Sequence, residues 1–544
     1  MLKRYRLHLA LVIILFLVFL LHFAVNVWIR NTIIKTINTS YIGHHHISIE
    51  KTQLRFLPLS LIAVGVRISH DKDSANIEKT PNNSSLLIEA EFKKIDISGL
   101  KLIRLLQKHA VSLGHIHLQD GTIRIQPGSH DLKQIINSSI TERSEIDIPI
   151  NLERFHLENI GFEWVENDDK DILKGHIAKL TLFELRTNLG LPGSLHYGNA
   201  DFELDDIEFN EPSGNYLYKT GQIEFIKNDK ELIIKNITID PQKGLHQLAA
   251  VFPVQKDAFK LSIGEIGITG FELDNLMYQQ RICIQSIRIN SMQLSVFKDK
   301  RLLPDLLKRP PMPQSALRDL AHDITLDTLQ INDSYIWYGE GHENEDARIN
   351  LNDFNARITG ITNNEASILK GCMIEATIEA SLMGRSKLKT DFILPLNTAN
   401  DTFYFTGSMN AMTAGAFNLM TLPAAGVEFT DGRIEHIRFS GGGNSNFSEG
   451  IFEMRYNNLE VKVNNKKAEK NKFLSWIINI AIKRNNPFEG RGSRIVDMYH
   501  ERDLNKGFIN NFWKTIQNGI MHTVAPAQKR HLIHSKRKKH KQSG

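Results

Sequence analysis

The sequence predicts a mainly β fold, with an N-terminal transmembrane helix, an elongated and curled antiparallel β-sheet with a few short helices, and a C-terminal helical segment. Three observations support this prediction. One long apolar segment lies near the N-terminus, alternating apolar and polar residues fill most of the chain, and segments with helical periodicity are scarce. We therefore divide the 544 residues into an anchor (1–30), a repeating sheet (31–465), an amphipathic helical segment (466–522) and a basic tail (523–544).

The first 30 residues have the pattern of an uncleaved membrane anchor. Lys3, Arg4 and Arg6 precede the uninterrupted apolar run Leu9–Leu21. Residues 7–29 are long enough to cross a bilayer, which takes about 20 predominantly apolar residues. The sequence after this run is a poor signal-peptidase site, since it lacks the usual pair of small residues. Because basic residues favour the cytoplasmic side of a membrane, we expect a cytoplasmic N-terminus and the bulk of the chain on the other side.

A strand pattern recurs along the middle of the chain. Its template is two alternating apolar residues, two polar positions, two further alternating apolar residues, and then a polar or small residue. The stretch VSLGHIHLQDGTIRIQ (Val111–Gln126) fits this template, and so do segments that end at Asn159, Ser291 and Asp333. Recurrence of this kind predicts an array of similar supersecondary units.

The phase of the alternation changes twice in the first repeat. The change at Gly114–His115 predicts a β-bulge, and the pair Asp120–Gly121 has the residue types of a two-residue type I′ hairpin. A hairpin would bring the flanking apolar side chains to one face and leave His117 and Arg124 on the other. Asp431–Gly432 predicts a second hairpin for the same reason. The apolar residues that this arrangement would align in three repeats are Ile116, Leu118, Ile123, Ile125, Ile287, Ile289, Leu294, Val296, Leu329, Ile331 and Ile336.

These eleven residues are candidates for the lining of an apolar groove. Strands that alternate apolar and polar residues have one buried face and one wet face, whereas strands buried on both faces are continuously apolar. Helices that could cover the apolar face are few, and the segments Lys101–Lys108 and Gln314–Ala321 are the candidates. A long sheet with one apolar face must therefore fold over on itself or hold an apolar ligand.

The C-terminal part of the chain differs in character. Phe473–Lys483 is apolar nearly all round and predicts a buried or interfacial helix, and residues 508–520 have helical spacing. The tail carries more positive charge than the net +5 of the whole chain, so it is either solvated and disordered or attracted to anionic lipid headgroups. No aromatic residues interleave its basic residues, which disfavours nucleic-acid binding. The candidates for headgroup binding are Lys529, Arg530, Lys536, Arg537, Lys538 and Lys539.

The sequence contains no pattern typical of a catalytic or metal site. It lacks a G-x-S-x-G elbow, an H-E-x-x-H pair, a C-x-x-C pair and a Walker A loop. His44–His46 cannot all face one metal, and His117 and His156 occupy polar positions of strands, where we expect a wet sheet face. Cys283 and Cys372 predict buried free thiols or a single disulfide. We therefore expect no enzyme, no cofactor and no metal site.

Several segments resemble the AsmA-like family of bacterial envelope proteins. IEKTQLRFLPLSLIAVGVRIS (Ile49–Ser69) is similar to the family's opening strands, and VSLGHIHLQDGTIRI and LDTLQINDSYIWY (Leu326–Tyr338) are similar to its recurring element. The stretch from Phe417 to Tyr456 is similar to the C-terminal module. The resemblance implies a repeating β-groove, apolar inside, that is held at the inner membrane and extends through the periplasm. The basic tail departs from the family pattern, and the family has no catalytic motif to carry over.

The expected function follows from this resemblance and from the apolar face together. We expect a single-pass inner-membrane protein that carries or bridges phospholipids between the inner and outer membranes and so supports outer-membrane biogenesis. Its expected partners are phospholipids, the inner membrane through residues 7–29, and a protein acceptor on the outer-membrane side. Two alternatives use the same features: a factor that assembles outer-membrane β-barrel proteins by strand addition, and a structural tether of the envelope.

The orientation of the anchor is directly testable. A reporter that is active only in the cytoplasm should be silent when it is fused after Gly544, because the basic residues at the N-terminus hold that end in the cytoplasm. The measurement is reporter activity in intact cells, with the same reporter fused to the N-terminus as the positive control. An active C-terminal fusion would overturn the predicted topology.

Overall fold

Strands dominate the described part of the chain, as the sequence predicts. The structure is a computed structural model, and it describes residues 31, 45–56, 59–70, 87–99, 111–126, 149–165, 171–188, 196–463, 483–487 and 492–524. Over these residues it has 21 strands and a few mostly short helices, so the mainly β class is confirmed. None of the helices within these ranges is both long and apolar enough to cross a membrane. The predicted anchor, Lys101–Lys108, most of Phe473–Lys483 and the basic tail lie outside the described residues.

The chain divides into two units. The first comprises Met1–Gly214 and Tyr218–Ile234, and the second comprises Asn215–Leu217 and Lys235–Gly544. Two strands contain the boundaries, β8 (Tyr216–Ile226) and β9 (Glu231–Pro241). The other strands of the first unit are β1 (His45–Phe56), β2 (Leu59–His70), β3 (Leu87–Ser98), β4 (Val111–Gln126), β5 (Pro149–Val165), β6 (Asp171–Asn188) and β7 (Asn199–Asn210).

The second unit contains the remaining strands and the described helices. Its strands are β10 (Asp257–Thr269), β11 (Arg281–Asn290), β12 (Gln293–Asp299), β13 (Asp323–Gly341), β14 (Ala347–Thr362), β15 (Met373–Leu382), β16 (Ser386–Pro395), β17 (Phe403–Met409), β18 (Met412–Thr413), β19 (Val427–Gly443), β20 (Phe447–Val463) and β21 (Ile495–Glu501). Its helices are α1 (Leu245–Val251), α2 (Leu273–Gln279), α3 (Pro313–Arg318), α4 (Glu365–Leu369), α5 (Asn418–Ala425) and α6 (Phe508–Val524), with a 3₁₀ turn at Ala414–Phe417. Helices α3 and α6 confirm the helical periodicity predicted near residues 314–321 and 508–520.

The predicted hairpin at Asp120–Gly121 is wrong. The chain does not reverse there, because β4 runs without interruption from Val111 to Gln126. Asp120 has a φ of 51°, while Gly121 is outside the left-handed region; a type I′ turn needs positive φ at both residues. A Cβ on Gly121 would lie 2.3 Å from the carbonyl oxygen of Glu91 on β3, so this glycine permits close strand contact. The Asp431–Gly432 hairpin is wrong in the same way, since β19 continues through it.

The structure instead places one left-handed residue inside each repeat. Asp120, Asn159, Ser291 and Asp333 end the sequence template, and their φ values are 51°, 57°, 56° and 49°. Such a residue shifts the phase of the strand as a β-bulge does, so side chains before and after it return to one face. In the β13–β14 ladder the register shifts on both sides of Ser334. The template residue is therefore a point of phase change within the sheet.

The expectation of a wholly antiparallel sheet is also wrong. Strands β4 and β5 pair in parallel, and β11 and β12 both pair in parallel with β13. Parallel neighbours need a long crossover connection, and residues 300–322 supply it between β12 and β13. The alignment follows the repeat: Leu118 pairs with Leu157, as the template aligns them. At the predicted bulge the β4–β5 ladder keeps its register, since Leu113 pairs with Leu152 and His115 with Arg154.

Helix α6 closes one end of the apolar face in the second unit. The ring of Phe512 lies edge-on to the ring of Phe405 at 5.2 Å between centroids. Further along the helix, a Cβ on Gly519 would lie 2.6 Å from Cγ of Phe452, so only glycine lets the helix approach β20 this closely. Phe403 and Phe452 have no exposed surface. This end of the sheet is therefore a closed core.

The left-handed residue Ser291 provides a test of the phase-change interpretation. Ser291 is exposed, and its backbone N–H donates to the carbonyl oxygen of Asn332 over 3.2 Å. Ser291→Val should lower the free energy of unfolding by about 1–3 kcal/mol, because a β-branched residue is strained at positive φ. Ser291→Gly removes the same hydroxyl without strain and should be neutral or slightly stabilising. Urea unfolding of both variants checks this, and equal destabilisation would contradict it.

Candidate functional site

The candidate residues of the second unit form one apolar strip. Parallel pairing places Ile287 beside Leu329 and Ile289 beside Ile331, and places the segment after Ser291 beside the segment after Asp333. Residues paired in a parallel ladder point to the same face of the sheet. We define the apolar strip as Ile287, Ile289, Leu294, Val296, Leu329, Ile331 and Ile336.

The phase change keeps both halves of the strip on one face. Ile331 and Ile336 flank Asp333 and have opposite parity in the sequence, yet both pack against the same cluster, which contains Phe354 and Ala356 of β14. Neighbouring strands extend the apolar surface, since Ile289 pairs with Ile266 of β10 in the other direction. The further neighbours in register are Leu261, Ile268, Leu351 and Ile358.

Every residue of the strip is half-buried. None of its seven side chains reaches the full burial seen under helix α6, and none is fully exposed. Helix α1 does not cover the strip, because it packs on the opposite face, where the ring of His246 lies 4.1 Å from that of Phe297. Phe297 follows Val296 and so points the other way. The apolar face is thus closed toward β20 and partly open at β11–β13.

The four candidates of the first unit are arranged similarly. Leu118 and Ile123 lie on either side of Asp120, and both pack against a cluster with buried Leu157 and Ile160. Ile116 and Ile125 pair with aromatic residues of β5, Phe155 and Trp164. All four candidates, Ile116, Leu118, Ile123 and Ile125, are half-buried.

The opposite face of the first unit is charged. Acidic and basic residues alternate across five neighbouring strands in register, which is favourable for cross-strand pairs. A cavity of about 720 Å³ lies along this row. Charged side chains line it together with apolar ones, among them Ile123 and Phe162. The members of the row are Glu89, Arg124, Glu163, Lys174 and Glu208.

A polar network lies at one end of the apolar strip. Tyr338 and Glu340 continue the phase of Ile336 along β13, so they share its face. The Tyr338 hydroxyl donates to Oε1 of Glu340 over 2.8 Å, and Nζ of Lys300 lies 3.2 Å from the same oxygen. Nε2 of His342 lies 3.4 Å from the other carboxylate oxygen.

This network keeps Glu340 ionised although the residue is half-buried. Burial alone favours the neutral acid, but the nearby imidazole of His342, the charge of Lys300 and the hydroxyl of Tyr338 outweigh it and hold the pKa of Glu340 at about 2. Burial, and next the charge of Glu340, raise the pKa of Tyr338, so its hydroxyl remains a donor. The strip therefore ends at a fixed carboxylate surrounded by donors.

The sequence alone did not predict the network or the cross-strand neighbours. The alternation of β13 continues beyond Ile336, so it could have predicted that Tyr338 and Glu340 share the face of Ile336. The partners Lys300 and His342 lie outside any template and meet Glu340 only after folding. The headgroup candidates at residues 529–539 and the triplet His44–His46 are outside the described residues or at their edge. Cys283 and Cys372 are both half-buried with free thiols, so the disulfide alternative is wrong.

The ionised state of Glu340 gives stability that depends on pH. Its pKa falls from 4.5 in the unfolded chain to about 2 in the fold, so the stabilisation is complete above pH 5 and is lost as the pH falls toward 2. Glu340→Gln should therefore be less stable than the wild type by roughly 2–3 kcal/mol at pH 7. The gap should shrink as the pH is lowered to 3.

Urea unfolding at pH 3, 4, 5 and 7 measures this gap. Tyr338→Phe keeps the carboxylate and removes one donor, so it should show a smaller gap with the same direction of pH dependence. A difference between Glu340→Gln and the wild type that stays constant from pH 7 to pH 3 would show that Glu340 is not held ionised by its neighbours.

Comparisons with known proteins provide no family for this chain. No protein-family model matches it, and no curated protein matches its sequence. A mixed β-sheet does not by itself distinguish the AsmA-like family from other β-rich proteins. The resemblance therefore depends on the quoted sequence patterns, and a function has to be argued from the apolar strip and its surroundings.

Proposed function

We propose that this protein carries or bridges phospholipids between the inner and outer membranes of a cell envelope, through the apolar face of its sheet. The observation that carries this proposal is the apolar strip, whose seven side chains lie in register on one face and are all half-buried. In this proposal residues 7–29 anchor the chain in the inner membrane, and the lipid transfer supports outer-membrane biogenesis.

The chemistry of the strip suits an acyl chain. Each methylene group that leaves water for an apolar surface gains about 0.8 kcal/mol, so a lipid tail needs an apolar path without polar interruptions. Residues 287–296 extend over about 30 Å at roughly 3.3 Å per residue. Aliphatic side chains occupy the alternate positions along this length, and they offer no hydrogen-bonding group that would fix one lipid position.

The polar groups around the strip suit the other end of a lipid. Lys300, Tyr338 and His342 converge on Glu340 at the end of the strip, so an apolar surface adjoins a charged and hydrogen-bonding one. A phospholipid has the same division between tails and headgroup. In this proposal the basic residues 529–539 hold anionic headgroups at a membrane surface.

Photo-crosslinking on the two faces of one strand tests the proposal. A crosslinking residue at position 289 or 331 should capture a labelled phospholipid, because these positions lie in the strip. The matched controls are positions 288 and 330, which are the adjacent positions in the same strands and face the other way. The measurement is label transferred to the full chain in membranes, and capture at 289 should exceed that at 288 by about tenfold.

A charged residue placed in the strip provides a second test of the proposal. Ile289→Asp should reduce lipid capture at position 331 at least tenfold, since a carboxylate is costly beside an acyl chain. Arg288→Asp introduces the same group on the other face and should leave capture unchanged. Circular dichroism should show both variants folded, because Ile289 is only half-buried.

Three outcomes would contradict the proposal. Equal lipid capture on both faces, or unfolding of Ile289→Asp but not of Arg288→Asp, would identify the strip as part of an ordinary closed core. Capture of an outer-membrane β-barrel protein in place of lipid would favour the assembly-factor alternative. Absence of capture at every position would leave a structural tether as the remaining function.

A further inference from the structure

Two histidines from successive repeats meet on the polar face of the first unit. The parallel ladder pairs His117 of β4 with His156 of β5, and their ring centroids are 4.6 Å apart. Glu158 lies two residues beyond His156 in the same strand and so faces the same side. The alternation of the two strands predicts a wet sheet face for both histidines but does not predict this pairing. Aligning IHLQ with FHLE in the repeats would have placed them side by side.

The three side chains converge at the distances that a metal site requires. Nε2 of His117 lies 2.9 Å from Oε2 of Glu158, and one donor atom from each of His117, His156 and Glu158 lies within 4.8 Å of the other two. Ligands of a tetrahedral ion at about 2.1 Å are about 3.4 Å from one another. Glu158 is exposed and the two imidazoles are half-buried, so small side-chain rotations suffice to close the site.

A hydroxyl orients one of the imidazoles. Nδ1 of His156 lies 2.8 Å from Oγ1 of Thr181 on β6, and Thr181 is buried. Metal-binding histidines are usually fixed by a hydrogen bond at the ring nitrogen that does not bind the ion. Because Nδ1 of His156 is engaged by Thr181, Nε2 is the nitrogen that would bind the ion. Gln119 donates to Oε2 of Glu158 over 2.9 Å and holds the carboxylate in a similar way.

Beside the geometry, the surroundings of His156 and Glu158 affect their protonation. Burial, and next the charge of His117, lower the pKa of His156, which favours the neutral imidazole that can bind an ion. The hydrogen bonds from Gln119 and His117 lower the pKa of Glu158, which favours the carboxylate.

We propose that His117, His156 and Glu158 bind one divalent transition-metal ion, for which Zn²⁺ is the reference case. Two imidazole nitrogens and one carboxylate oxygen form a donor set typical of Zn²⁺ and its neighbours in the first transition row. Ca²⁺ and Mg²⁺ prefer oxygen ligands throughout. The bound ion replaces the hydrogen bond between His117 and Glu158, and water completes its coordination.

This site is independent of the apolar strip. It lies on the polar face of the first unit, whereas the strip belongs to the second unit, so failure of either proposal leaves the other unaffected. The simplest competing interpretation is a hydrogen-bonded pair of His117 and Glu158 without an ion. That interpretation predicts no more affinity for Zn²⁺ than any surface histidine has.

Calorimetric titration of the full chain in detergent with Zn²⁺ at pH 7 tests the proposal. The wild type should bind one equivalent that is absent from His156→Ala and is weakened at least tenfold in Glu158→Gln. Thr181→Ala keeps all three ligands and should weaken binding by about 10–100-fold, as loss of an orienting partner does. Mg²⁺ should not displace the bound Zn²⁺.

The matched control is His176→Ala. His176 is on β6, with Asn159 at 2.8 Å and Asp205 at 3.9 Å, and it lacks a second imidazole. His176→Ala should bind the same one equivalent of Zn²⁺ as the wild type. Each variant changes one residue and keeps the rest of the chain, so loss of that equivalent only in the cluster variants assigns it to the cluster. Circular dichroism shows whether His156→Ala is folded. If it is not folded, Glu158→Gln, at an exposed position, provides the test. Equal binding in the wild type and in both variants would refute the site.

Discussion

A single left-handed residue in each repeat strand is the constraint on which the rest of the structure depends. Without it, a strand that carries apolar side chains at even positions and then at odd positions would expose half of them to water. Asp120 and Asp333 absorb this change of parity inside a continuous strand. Ile331 and Ile336 consequently pack against one cluster, and the polar residues between them remain on the other face. The two faces thus differ in chemistry along the whole strand.

Parallel pairing of successive repeats extends the separation of apolar and polar faces from one strand to its neighbours. Since equivalent template positions lie side by side, apolar residues meet apolar residues, as Ile289 meets Ile331. Polar positions meet polar positions for the same reason, which brings His117 next to His156. The apolar strip and the histidine cluster therefore have one cause, and they differ only in which face of the repeat they occupy.

The sequence predicts the features that follow from alternation along one strand. It does not predict the features that depend on contacts with other strands. The common face of Ile331 and Ile336 follows from local spacing, and so does helix α6. The Asp120–Gly121 pair misled because its residue types suit both a type I′ turn and a single left-handed bulge. The choice is made by β3, whose Glu91 carbonyl oxygen lies against Gly121. The ionised Glu340 likewise depends on Lys300, which no periodicity connects to it.

The parallel, in-register arrangement also bears on how such a sheet can change in size. The two repeats of each parallel pair align equivalent hydrogen-bonding groups with one another, and the crossover of residues 300–322 returns the chain to the end of the sheet at which the first repeat of its pair began. A duplicated segment inserted between two repeats would therefore find a matching edge on both sides without any new pairing rule. The number of repeats encoded in the gene then sets the width of the apolar surface. The end covered by helix α6 stays the same.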